Sequence, residues 1–165
     1  MLRAASLRRV TARATGKTAE LTVHLRRATR RGWVPAVPAL RHWASLALGR
    51  QGRGRELSVL VVGAARSRSL NRRYRQRNCP TNVLSFAPAA PGPLLGDLVI
   101  CPEVLQREAR DQGKAVRAHW MHLVVHGALH LVGYDHARPL DARRMERREV
   151  RLLRALGLPN PYRSL

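Results

Sequence analysis

Three histidines in HGALHLVGYDH, residues 126–136, have the type and spacing of a metal site. His126 and His130 are four apart, so a helix stacks their imidazoles on one face, one turn above the other. Gly133 follows three residues after His130 and can end that helix in a left-handed turn that other residues resist. The chain can then double back and bring His136 towards the same point. Three neutral imidazoles converging there make an open tetrahedral site for one Zn2+, with water in the fourth position. Neutral ligands leave the ion its full charge, so a bound water can reach a pKa of ~7.

The pattern H-x-x-x-H-x-x-G-x-x-H has the spacing of the metzincin motif H-E-x-x-H-x-x-G-x-x-H. Gly127 stands where those proteases carry the glutamate general base. That difference argues against a peptidase and for another metal-assisted hydrolysis. His119 and His122 lie on or near the same helix face. They read as residues that pack or orient the ligands, with direct ligation as the alternative. Asp135, beside His136, reads as an acceptor for an imidazole N–H. Asp97 reads as a structural hydrogen-bonding residue, and Glu146 and Glu149 as surface ion-pair residues among arginines. No residue stands out as the general base.

The histidines need a long helix, and the pattern supplies one from Val116 to Leu131. Leu21–Leu25 alternates as a short strand, and ALRHWASLAL, Ala39–Leu48, keeps helical spacing before a Gly49 stop. Glu56–Gly63 reads as a buried strand. Ser67–Arg75 reads as a helix capped by Ser67 or Ser69, with Leu70 and Tyr74 on its apolar face. Strands are expected at Thr81–Phe86 and Leu94–Cys101, on either side of a loop, Ala87–Pro93. Pro102 opens a helix to about Gln112, and a last helix runs from Leu140 to Leu156 with Val150, Leu152, Leu153 and Leu156 buried. Strands come first and helices cluster late, which predicts an α+β domain with a small mixed sheet.

The 165-residue length fits one domain, and the net charge of +21 fits a polyanionic partner. Only Lys17 and Lys114 are lysines; the rest of the positive charge is arginine, which grips phosphate bidentately and stacks on bases. Residues 1–19 carry no acid and read as a basic, disordered arm, a transit peptide or an extension from an upstream start codon. Residues 20–165 form the expected domain. Cys79 and Cys101 make no disulfide framework and are expected reduced and half-buried. No apolar run approaches the ~20 residues of a membrane span, and no membrane partner is expected.

Four blocks resemble the YbeY family of endoribonucleases, also called rRNA maturation factors. They are LNRRYRQRNCPTNVLSF (Leu70–Phe86), LLGDLVICPEVLQREA (Leu94–Ala109), HWMHLVVHGALHLVGYDH (His119–His136) and RMERREVRLLRALGLPNPY (Arg144–Tyr162). The resemblance implies a zincin-like α+β fold, with a four-stranded sheet and about five helices, and zinc held by His126, His130 and His136. It implies cleavage of single-stranded RNA, in 3′-end maturation of small-subunit rRNA and in ribosome quality control. Partners would be rRNA precursor and small-subunit components, in the cytoplasm, or in the mitochondrial matrix if residues 1–19 are a transit peptide. Arg75 matches the family's active-site arginine after Tyr74 and would stabilise charge on the phosphorane. The chain departs from the family pattern at Gln76, where glycine is usual, at Asn78, where an acid is usual, and at Ala87, where proline is usual. Its loop Ala87–Pro93 is also short and acid-free.

Two other functions fit the same residues. One is a metallohydrolase acting on a peptide or small amide, which the missing glutamate and the positive charge disfavour. The other is a non-catalytic RNA-binding assembly factor with structural zinc, for which a fourth protein ligand such as His122 would be the mark.

Overall fold

The computed structural model describes residues 19–162, so most of the basic arm expected over 1–19 lies outside the described residues. The strands are β1 (Thr22–Arg27), β2 (Glu56–Val61), β3 (Val83–Phe86) and β4 (Leu94–Ile100). The α-helices are α1 (Val37–Leu48), α2 (Ala64–Arg75), α3 (Pro102–Asp111), α4 (Val116–Leu131) and α5 (Pro139–Ala155). The expected α+β class and the mixed four-stranded sheet with five helices are what the chain forms. A short 3-10 turn, Gly49–Gly52, extends α1 past the expected stop.

The sheet order is β1-β2-β4-β3; β1, β2 and β4 run parallel and β3 is antiparallel on the edge. Strand alternation divides the apolar residues between two faces. Leu57, Val59, Val61, Val83, Leu98 and Ile100 join the main core with α1, α3, α4 and α5. Val62, Leu84, Phe86 and Val99 form a smaller cluster on the other side, covered by Leu70 and Tyr74 of α2. Tyr74 meets Phe86 edge to face at 4.9 Å.

Helix α4 is the central element. Trp120, Leu123, Val124, Val125, Ala128 and Leu129 are all buried in the main core. Beyond the exposed Arg117 of its first turn, apolar residues and Gly127 occupy its circumference except the histidine stripe, as expected of a helix enclosed by its neighbours. The helix comes close to the sheet because glycine occurs where a side chain would collide. A Cβ on Gly127 would fall 2.8 Å from Leu98 Cδ2 and 3.1 Å from Ser85 Oγ. The missing metzincin glutamate therefore has a steric reason: position 127 faces the sheet.

The expected serine cap of α2 is not what forms. The helix begins three residues before Ser67, at Ala64, with Gly63 as its uncapped N-cap. Ser67 is buried and ties the segment after α2 instead: its hydroxyl donates to the Thr81 carbonyl at 2.7 Å and accepts the Thr81 N–H at 2.9 Å. The two cysteines differ, Cys79 exposed and Cys101 buried, rather than both half-buried.

Gly96 in β4 has φ +147°, and a Cβ there would lie 2.3 Å from the Phe86 carbonyl oxygen and 2.7 Å from Leu131 Cδ2. Backbone and neighbours both demand glycine. Gly96→Ala is expected to destabilise the fold by at least about 2 kcal/mol. A urea midpoint equal to that of the wild type would refute this account of the β3–β4 pairing.

Candidate metal centre

The four histidines His119, His122, His126 and His130 of α4 follow one another at intervals of three, four and four. They form a continuous stripe along one side of the helix. After Leu131 the helix closes as the sequence predicts. Gly133 adopts φ +91°, its N–H reaches the His130 carbonyl at 3.2 Å, and the Tyr134 N–H reaches the Leu129 carbonyl at 3.1 Å. The reversal returns His136 to the helix, and its ring stands 4.9 Å from that of His130 and 5.7 Å from that of His126. One ligand atom from each of the three rings lies within 4.8 Å of the others.

These residues fit a tetrahedral ion. His126 Nε2 and His130 Nε2 are 3.2 Å apart. Two nitrogens bound to zinc at ~2.0–2.1 Å and a tetrahedral angle stand about 3.3 Å apart. His126 donates Nδ1–H to Glu149 Oε1 at 2.9 Å, which leaves its Nε2 lone pair for an ion. Burial, reinforced by the neighbouring His126 and His136, lowers the pKa of His130 to about 4. His130 is thus neutral at pH 7, as a ligand must be.

Glu149 is the residue that sequence reasoning placed wrongly. It is not a surface ion-pair partner; it is fully buried. Its Oε1 also lies 3.2 Å from His122 Nε2, and Oε2 accepts the Tyr162 hydroxyl. Burial raises a carboxyl pKa, yet the hydrogen bonds from His122 and His126 outweigh it and hold Glu149 at about 2. The signal was present in the spacing. Glu149 stands four after Met145 and three before Leu152, inside the buried stripe of α5. Val150 and Leu156, expected in that stripe, are only partly buried. Glu146 is exposed as expected.

Asp135 also differs from expectation. Its Oδ1 accepts the backbone N–H of His136 at 2.7 Å and so fixes the loop rather than an imidazole. That hydrogen bond lowers its pKa. His122 is engaged with Glu149, and among the described residues it belongs to a separate donor group with His126 and Glu149. His119 is engaged with Glu108 at 2.8 Å.

The histidine stripe floors a cleft of about 370 Å³. Arg75 also lines it, with Asn82 and Ser85 of the β3 segment. Arg75 is the last residue of α2, and Gln76 behind it takes the left-handed conformation at φ +59°, alone among the described non-glycine residues. This is the position at which the family resemblance led us to expect glycine; here a glutamine takes the left-handed turn. Arg75 is exposed at the cleft rim; partial burial and then the charge of Arg77 lower its pKa.

A family model described as "Endoribonuclease YbeY" matches residues 38–157. A protein of that name from Halorhodospira halophila is 49% identical over 137 residues, covering 79% of this chain and 89% of its own. Its namesake from Pseudomonas entomophila is 48% identical over 147 residues, covering 86% and 93%. The solution structure of TM1509 from Thermotoga maritima matches with a TM-score of 0.54 at 19% identity, over 87% of this chain and all of that one, which shows a shared fold.

The site makes the metal-free protein acid-labile in two windows. The His130 pKa is depressed from 6.5 to about 4 on folding, so its contribution is full above pH 6.5 and is lost as pH falls towards 4. The Glu149 pKa is depressed from 4.5 to about 2, so its contribution is full above pH 4.5 and is lost as pH falls towards 2. Urea midpoints should fall through both windows in the wild type. Glu149→Gln should flatten the lower one, and a variant that tracks the wild type below pH 4.5 would refute the assignment.

Proposed function

The chain belongs to the YbeY endoribonuclease family, and from that premise we propose that it is a zinc-dependent endoribonuclease for single-stranded RNA. Its task is 3′-end maturation of small-subunit rRNA and ribosome quality control. Its partners are rRNA precursor and small-subunit components, in the cytoplasm, or in the mitochondrial matrix where residues 1–19 act as a transit peptide. The domain is residues 20–165. His126, His130 and His136 hold the ion, and Arg75 is the catalytic arginine.

The observation that carries this reading is the convergence of the three imidazoles, two of which, His126 and His130, line a cleft that Arg75 also lines. A zinc ion there would supply a Lewis acid and lower the pKa of a bound water. The chain's own residues do the rest. Glu149 fixes the His126 ring and keeps its Nε2 free. Arg75 offers a planar, permanently charged donor to a phosphodiester oxygen as negative charge grows on it. Arg72, Arg73 and Arg77, its exposed neighbours in the chain, add the positive charge that draws the RNA backbone. With His122 bonded to Glu149, the three-histidine set keeps a position for water or substrate, which favours catalysis over structural zinc.

The test is cleavage of a labelled single-stranded RNA by wild type, His126→Ala and Arg75→Glu, prepared in parallel. His126→Ala should fall to background, and Arg75→Glu should lose at least about 100-fold. Equal cutting by all three would assign the activity to a contaminant. RNA binding without cutting by any would favour the assembly-factor reading.

Glu149→Ala should weaken zinc binding by about 10–100-fold, read by competition with a chromophoric chelator. Unchanged affinity would remove Glu149 from the metal centre.

A further inference from the structure

The cleft extends beyond the metal histidines to a second polar group at the N-terminal end of α4. His119 lies seven residues before His126, about 10 Å along the helix axis. Its Nε2 meets Glu108 Oε2 of α3 at 2.8 Å, and Asn82 Nδ2 donates to the same oxygen at 2.8 Å. Asn82 is itself fixed, because its Oδ1 accepts the Val83 N–H at 2.6 Å. Glu108 Oε1 accepts no hydrogen bond among the described residues, and the side chain is 30% exposed at the cleft wall. Burial opposes ionisation of Glu108, but the hydrogen bonds from His119 and Asn82 prevail and lower its pKa.

A fixed carboxylate in this position is costly for phosphate binding, since it repels the polyanion that the +21 chain attracts. One oxygen is spent on anchoring, and the other is free of partners among the described residues on a side chain that lines the cleft. That is the arrangement for accepting a hydrogen bond from an N–H donor on a base edge. Carboxylates read the exocyclic amine of cytosine in this way, whereas uracil presents the O4 carbonyl there, which repels them, and its one edge donor, N3–H, is flanked by carbonyls on both sides.

We propose that Glu108, held by Asn82 and His119, is a specificity residue that binds the exocyclic amine of a nucleobase flanking the cleavage site. The site takes an amino-bearing base such as cytosine in preference to uracil. The inference rests on the reading of the chain as a single-strand ribonuclease and adds a base subsite to it. It predicts its own inversion. In Glu108→Gln the amide oxygen stays with the donor Asn82, so the amide NH2 faces the cleft and favours a carbonyl.

The experiment is fluorescence anisotropy with octacytidylate and octauridylate, which differ at this edge, read as the ratio between wild type and Glu108→Gln so that the stronger stacking of the cytidine strand cancels, with strand length checked on a gel after each titration. Wild type should bind the cytidine strand about tenfold more tightly. Glu108→Gln should abolish or reverse that ratio, its folding checked by thermal melting. Equal affinity of wild type for the two strands overturns the subsite while leaving the ribonuclease reading intact, and it needs no variant. An unchanged ratio in a folded Glu108→Gln protein overturns it too. Failure of wild type to bind or cut either strand would overturn the ribonuclease reading, and the subsite with it.

Discussion

One buried carboxylate sets the geometry on which the site depends. Glu149 meets three donors from two separate parts of the chain: His122 and His126 on α4, and Tyr162 beyond α5. A bare carboxylate inside a protein would give up its charge. Here it stays ionised because the surrounding donors replace the water it has lost. The same bonds that keep it charged dock α5 and the C-terminal segment onto the histidine helix. They also choose the His126 tautomer, so folding and ligand orientation are one event.

The two carboxylates that hold the α4 histidines divide along physical lines. Glu149 has no exposure and both of its oxygens are engaged, so it acts through the residues it holds. Glu108 is part-exposed and only one oxygen is engaged, so it can act outward. Both sit on α4 histidines, and both are rare negative charges in a chain with ten acids. The rest of the surface supplies attraction without sequence preference, which is what arginine and phosphate give each other. Discrimination has to come from groups that pair with base edges.

Much of this was legible in the sequence because it is local. The spacing of His126, His130, Gly133 and His136 fixes the helix, its stop and the reversal, and the structure follows it residue by residue. Strands and helices matched to within a few residues because apolar periodicity and the Gly and Pro signals agreed. The losses were non-local. Ser67 resembles a cap until Thr81, fourteen residues on, is found against it. Glu149 resembles a surface residue among arginines, since its three partners are distant in sequence. Even so, its place between Met145 and Leu152 was visible, and a charged residue in a buried stripe is a reason to look for what neutralises it.

The absent glutamate at position 127 follows from the same packing. In the metzincin spacing that residue projects towards the substrate. Here the Cα of Gly127 faces Leu98 and Ser85 of the sheet, and Ser85 Oγ donates to the Gly127 carbonyl at 3.3 Å. Close packing of α4 on β3 and β4 leaves no path for a longer side chain. The fold therefore gives up a general base on the metal helix in return for a tight floor to the cleft. On the proposed reading, the charge-stabilising group is Arg75, which lines the same cleft where α2 ends and Gln76 turns the chain away behind it.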